Sequence, residues 1–287
     1  MAFGLKAKQV TSPFSATSDS MMAWLAKHQQ TIKWLVYALL LVNFGMYIIE
    51  DIGKFQRALS QGQSLLAATT RLATSLDLVG WFALLAIFEI ESYWLQRGSS
   101  PALVRALHIL RLGCLALIAN TFFIYFREMM QIGEAVALSS QQALCDLNFE
   151  TSYFLLNQTY SAITAANCAA LAGSLPIIQL AEFGTYTNTE GLAIASLQAW
   201  ASLIESGVWI IYATALTVIV VLRQRAHSMT ALEPILTVAC RASIAIILCC
   251  AASWAYHGHY LYTWDSCLWI AGFTIIEANL SQWRKVL

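Results

Sequence analysis

One phrase occurs three times in this chain: an acidic residue, three residues, a tryptophan, then a basic residue sixteen positions past the tryptophan. It reads Asp77-x3-Trp81 to Arg97, Glu205-x3-Trp209 to Arg225, and Asp265-x3-Trp269 to Lys285. Each copy lies on an apolar stretch long enough to cross a bilayer, which restricts the chain to a helical membrane architecture built from related hairpins. Composition agrees. Hydrophobic residues make up 59% of the chain and charged residues 11%, against about 25% charged in ordinary soluble domains.

Windows of roughly 17 to 25 apolar residues are needed for a helix to cross a ~30 Å hydrocarbon core. They predict six spans, near 33–50, 77–96, 102–126, 196–222, 235–257 and 265–283. The first has no charge from Trp34 to Ile49 and stops at Glu50-Asp51; the third is interrupted early by Arg105, His108 and Arg111. Residues 1–22 are polar, small and proline-containing, and read as a flexible cytoplasmic tail; residues 23–287 form the membrane domain. No signal-peptide cleavage site precedes the first apolar run, which reads as a retained anchor.

The Lys/Arg bias of the flanks sets orientation. Lys6, Lys8, Lys27, Lys33, Arg97, Arg105, Arg111, Arg223, Arg225, Arg241, Arg284 and Lys285 fall on one side, and Lys54, Arg57, Arg71 and Arg127 on the other. That split predicts both termini in the cytoplasm. Pro101 and Pro234 open the helices after the two short inner connections, where a missing N–H is harmless. The long outer connection, 127–195, includes an apolar stretch from Phe149 to Leu171 that reads as helical. Cys145 and Cys168 lie there, on the side where a disulfide survives. The other cysteines lack metal-ligand spacing and read as packing. Asn157-Gln-Thr159 matches a glycosylation acceptor.

The odd-numbered spans repeat more faintly. A shift of 133 residues sets Pro101 on Pro234, His108 on Arg241 and Asn120 on Ser253; a shift of 77 sets Asn43 on Asn120 and Asp51 on Glu128. The expected fold is therefore all-α, with six transmembrane helices as three parallel-repeat hairpins, 24–97, 101–225 and 234–285, related by an axis along the membrane normal. The competing explanation is convergence, since tryptophan and basic residues favour membrane interfaces in any case.

Twelve residues past each outer acid stand Glu89, Thr217 and Glu277, ~18 Å along the helix. A charge at that depth costs roughly 2.5–3.5 kcal/mol and turns toward the bundle, water or a partner. Matching distances from the inner elbows predict two intramembrane ion pairs, Glu89–Arg111 and Glu277–Arg241, with His108 one turn from Arg111. In one reading these are structural clamps. In the other, Asp77, Glu205 and Asp265 form an outer acidic ring that gathers cations, and Glu89, Glu277 and His108 relay protons. His257 and His259 would need a third ligand such as Asp265 to hold a metal, and interfacial histidines are more often solvated. No haem-ligand arrangement, phosphate loop, nucleophile elbow or zincin helix is present, so no cofactor and no reaction are indicated.

The function expected on these grounds is a multipass transport protein, a cation channel or proton-coupled carrier. The alternative is a non-catalytic structural or accessory subunit of a larger membrane complex. Expected partners are the lipid bilayer, protons or cations, and further subunits; nothing suggests nucleic acid.

Overall fold

Long apolar runs dominate the computed structural model, which describes residues 13–90, 100–138, 142–171, 173, 176–180, 184–224 and 232–283. The chain is mostly helical, and among the described residues five helical segments are long and apolar enough to cross a membrane: Gln30–Ser60, Leu65–Ile87, Pro101–Ile132, Thr189–Ile219 and Leu232–Tyr256. The helices, in order, are α1 (Pro13–Ser60), α2 (Leu65–Thr69), α3 (Ala73–Glu89), α4 (Pro101–Ile132), α5 (Gln142–Cys145), α6 (Cys168–Leu171), α7 (Thr189–Gln224), α8 (Leu232–Tyr256) and α9 (Tyr260–Trp283). Two compact units result, one of residues 1–42 and 267–287, the other of residues 43–266.

In the first unit, Val36 and Leu40 of α1 are buried and approach Gly272 of α9, where an added Cβ would lie 3.7 and 3.8 Å from their side chains. Lys33 is buried, and its ammonium lies over the Trp34 ring.

The second unit holds most of the chain. Helix α1 departs from expectation at both ends: it reaches back to Pro13, within the segment read as a tail, and it runs past Asp51 to Ser60. Its 48 residues span ~72 Å, more than the ~40–45 Å of a bilayer with its headgroups. Lipid-compatible side chains such as Val42, Met46, Ile49 and Ile52 are exposed, whereas Asn43, Tyr47 and Asp51 are each 1% exposed. The 4-residue spacing puts those three on one face, so α1 buries a polar stripe and offers its apolar side outward.

Helix α4 starts from Ser100, whose hydroxyl accepts from the Leu103 amide, with Pro101 in the first turn as its missing donor permits. Helix α3 packs on α4, α4 on α7, and α7 on α8. Gly80 of α3 lets the backbones meet, because a Cβ there would be 3.3 Å from the Cys114 carbonyl and from Ile118. Gly207 of α7 stands against the Phe122 ring in the same way. Small residues at crossings are how membrane helices gain close packing without a hydrophobic drive.

The 127–195 connection corrects the all-α expectation. It carries a five-stranded sheet of β1 (Val136–Ala137), β2 (Tyr153–Leu156), β3 (Thr159–Ala162), β4 (Ile178–Gln179) and β5 (Thr185–Thr187), in the order β1-β4-β5-β2-β3. All pairs are antiparallel except β2 with β5. Phe149–Leu171, read as helical, is chiefly the β2–β3 hairpin and the short α6. Its reversal is Asn157-Gln158, both at positive φ (49° and 61°), the two-residue geometry that matches strand twist. Leu144, Phe154, Ile163, Cys168, Ile177 and Tyr186 form a small core, and Cys145 is disulfide-bonded to Cys168 with Cα atoms 5.2 Å apart.

This small domain packs on α7 and meets α1. The Arg57 guanidinium lies 3.7 Å from the centre of the Tyr160 ring, and Thr187 Oγ1 donates to the Leu155 carbonyl. Asn188 caps α7 by accepting from the Gly191 amide at 2.7 Å. Gly191 has no room for a side chain, since a Cβ would collide with Thr187 Oγ1.

Candidate functional site

Polar groups from α1, α3, α4, α7, α8 and α9 converge within the second unit, in the region where the outer acids lie. The buried stripe of α1 supplies one wall. Asn43 Nδ2 donates to Asp265 Oδ1 at 2.5 Å. One turn along, the Tyr47 ring faces Tyr262 at 5.6 Å between centroids. Further along, Lys54 pairs with Glu50 at 2.8 Å and lies 3.8 Å from Asp51, while the Tyr262 hydroxyl donates to Glu50 at 2.7 Å. Asp51 Oδ2 also accepts from both the backbone amide and the hydroxyl of Ser75 at the start of α3, each at 2.8 Å.

The outer acids are held by neutral donors. Trp81 Nε1 donates to Asp77 at 3.1 Å, since residues four apart on a helix are neighbours. Glu205 accepts from Trp254 Nε1 at 2.8 Å and from Ser266 Oγ at 2.5 Å. Asp77 and Glu205 lie within electrostatic reach of each other, and the Tyr47 hydroxyl lies in the field of both Asp265 and Glu205. Trp81 and Trp209 meet edge to face at 5.9 Å. On the α4 side, the Tyr125 hydroxyl is 3.3 Å from that of Thr74. Such an assembly has the chemistry to exchange protons or hold a small cation, because it gathers carboxyl, hydroxyl and amide oxygens.

The inner residues are placed differently. Glu89 ends α3 and Arg111 lies on α4; both are half-buried and both are engaged in interactions. His108 is exposed on α4. Thr217 is half-buried and its hydroxyl donates to the Ala213 carbonyl of its own helix at 2.7 Å. Arg241 is exposed on α8, where it lines a groove of about 480 Å³ with Glu233, Pro234, Thr237 and Val238. The Glu277 side chain, and with it the expected pair to Arg241, lies outside the described residues, as do Arg97, Arg225 and Lys285. The residues aligned by repetition differ in burial: Asn43 and Asp51 are buried, whereas Asn120 and Glu128 are exposed.

The two histidines of the α8–α9 turn are committed elsewhere. His257 Nδ1 is 2.8 Å from the Ser253 carbonyl. His259 Nε2 is 2.7 Å from Gln198 Nε2 and 2.8 Å from Asn157 Oδ1. Asn157, the residue of the glycosylation pattern, donates its Nδ2 to the His257 carbonyl and so ties the hairpin tip to that turn. Burial, then the neighbouring His257, hold the His259 imidazole below its ordinary pKa, against the pull of Glu50. Among the described residues, no group of three or more His, Cys, Asp or Glu side chains is placed to hold a metal.

Sequence reasoning named the outer acids and missed what surrounds them. Tyr47, Ser75, Tyr125, Trp254, Tyr262 and Ser266 carry no motif of their own, and Glu50-Asp51 reads from sequence as the end of a span. The available signal was the 43, 47, 51 spacing, a polar and aromatic stripe of helical period inside an otherwise lipophilic segment. No protein-family model, no curated protein and no solved structure matches this chain.

Proposed function

We propose that this chain is a multipass membrane transport protein that moves protons or small cations through the carboxyl cluster of Asp77, Glu205 and Asp265. The supporting observation is that these acids are met by neutral donors: Trp81 for Asp77, Trp254 and Ser266 for Glu205, and Asn43 for Asp265. A carboxyl group held by neutral donors is free to take up and release a proton or to balance a cation, whereas a carboxylate locked to arginine already has its charge answered. Ionisable groups at membrane depth are expensive and mark ion pathways and proton relays. In this reading six helices cross the bilayer as three repeated hairpins with both termini cytoplasmic. The pairs Glu89–Arg111 and Glu277–Arg241, with His108 and Thr217, form the inner half of the path.

A second reading, a non-catalytic subunit of a membrane complex, draws on the outer domain. The edge strand β1 is exposed along its length, with Val136 at its start, and an unpaired edge is a template for another chain.

The test is flux into liposomes loaded with a pH-sensitive dye under an imposed potential, in sodium, potassium and choline buffers. Glu205→Gln and Asp77→Asn are expected to abolish flux, and Glu89→Gln to reduce it. An inactive parent protein, or full activity in all three variants, sinks the transport reading.

A further inference from the structure

We propose that Asn43 and Asp265 form a binding site for one desolvated Na+-sized monovalent cation; this builds on the transport reading by naming the ion and the place where it rests. Asn43 is 1% exposed. Its amide nitrogen is used on Asp265 Oδ1, but its carbonyl oxygen is fully buried with no hydrogen-bond partner among the described residues. An acceptor left unmade in a protein interior costs about 1–3 kcal/mol, and hydrocarbon supplies no water to relieve it.

Reversing the amide does not cure the fault. The oxygen would then take the nitrogen's position, 2.5 Å from a carboxylate oxygen, where two acceptors repel. In either orientation a cation between the amide oxygen and the carboxyl group relieves the fault. The covalent geometry of the amide keeps its oxygen beside the nitrogen that already touches Asp265, so one ion can reach both residues.

The donor set is carbonyl and carboxylate oxygen, the chemistry of hard cations. One carboxylate balances one charge, which favours a monovalent ion over a divalent one. Tyr47, one helical turn from Asn43 and in the field of Asp265, adds a hydroxyl to the surroundings. The neighbouring Ser266 is occupied with Glu205, which fixes that turn of α9 and holds Asp265 against α1.

The experiment measures binding of radiolabelled Na+ to the purified full-length protein in detergent, with Li+, K+ and choline as competitors at constant ionic strength and at two pH values. Saturable binding near one ion per chain is expected, displaced by Li+ but not by choline, together with a rise of several degrees in the unfolding midpoint in Na+ over choline. Asn43→Leu is expected to weaken binding at least tenfold. Should that variant misfold, Tyr47→Phe, which keeps the ring stack, is expected to weaken binding by a smaller factor. No saturable Na+ binding to the folded parent overturns the site, whether or not protons bind there instead. Binding unchanged in Asn43→Leu, or in Tyr47→Phe where that variant replaces it, also overturns it. The two readings fail separately: intact Na+ binding with no flux in liposomes removes the transport reading, and flux equal in sodium and choline without Na+ binding removes this one.

Discussion

Removing a single hydroxyl, in Ser266→Ala, tests whether Glu205 is held as a charged group. Ser266 is 1% exposed and its Oγ lies 2.5 Å from Glu205 Oε1 and 3.0 Å from the Tyr262 carbonyl. A serine has one proton to give, and the shorter contact is to the carboxylate. A hydrogen bond to a charged group contributes about 1.5–3 kcal/mol and a neutral one about 0.5–1.5 kcal/mol. Ser266→Ala alone is therefore expected to destabilise by about 1.5–3 kcal/mol. In a Glu205→Gln background the same change is expected to cost about 0.5–1.5 kcal/mol, leaving a coupling energy near 1 kcal/mol in the double-mutant cycle. At ~2–4 °C per kcal/mol for a folding unit of this size, the first loss lowers the unfolding midpoint by ~3–12 °C. The assay is thermal unfolding in detergent followed by tryptophan fluorescence, since Trp254 donates to the same carboxylate. Equal shifts in the two backgrounds, or none in either, would falsify the claim that Ser266 serves a charged Glu205.

Two further outcomes concern the outer domain. Replacing both Cys145 and Cys168 by serine opens a 23-residue separation, worth ~3 kcal/mol in the chain-entropy account; hydrogen exchange at Phe154 and Ile163 is expected to quicken about a hundredfold, and unchanged protection would refute the disulfide's role as the staple of that small core. The second outcome concerns pH. His259 has a folded pKa below its ordinary value, so its contribution is present above pH ~6.5 and is lost as pH falls through the folded value; His257, Glu50 and Tyr262 are the titratable groups that face it. Exchange in the β2–β3 hairpin, corrected for intrinsic rates, is expected to rise below pH 6 in the parent and to lose that dependence in His259→Asn, and an identical profile in the two would refute the link.

The long helices were legible because lipid leaves so few choices: a run such as Trp34 to Ile49 without a charge has no other stable state. Pro101 and its serine cap were legible for the same local reason. The outer sheet was not. Its strands are two to four residues long, too short for alternation to register, and the helical signal of the alanines around Cys168 belongs to the short α6 and not to the hairpin before it. The Asn157-Gln158 reversal depends on two non-glycine residues at positive φ, which composition does not announce. In α1, the uncharged run stops at Glu50-Asp51, but the helix continues because Ser75 donates twice to Asp51 Oδ2 from the side and the Lys54 ammonium lies 3.8 Å from its other oxygen. A charge ends a span only when nothing inside answers it.

The same reasoning explains why the outer half of α9 governs the cluster. Within one turn and a half, Tyr262 bonds Glu50 of α1, Thr263 bonds the Ala251 carbonyl of α8, Asp265 bonds Asn43 of α1 and Ser266 bonds Glu205 of α7. Successive side chains on a helix point about 100° apart, so four neighbours can address three helices at once. Three of the four bonds have a carboxyl group at one end, that of Glu50, Asp265 or Glu205. On the proposed transport reading, a proton or cation arriving at Glu205 or Asp265 alters the forces that hold α9 against α7 and α1, so occupancy and helix packing are connected without a separate linkage.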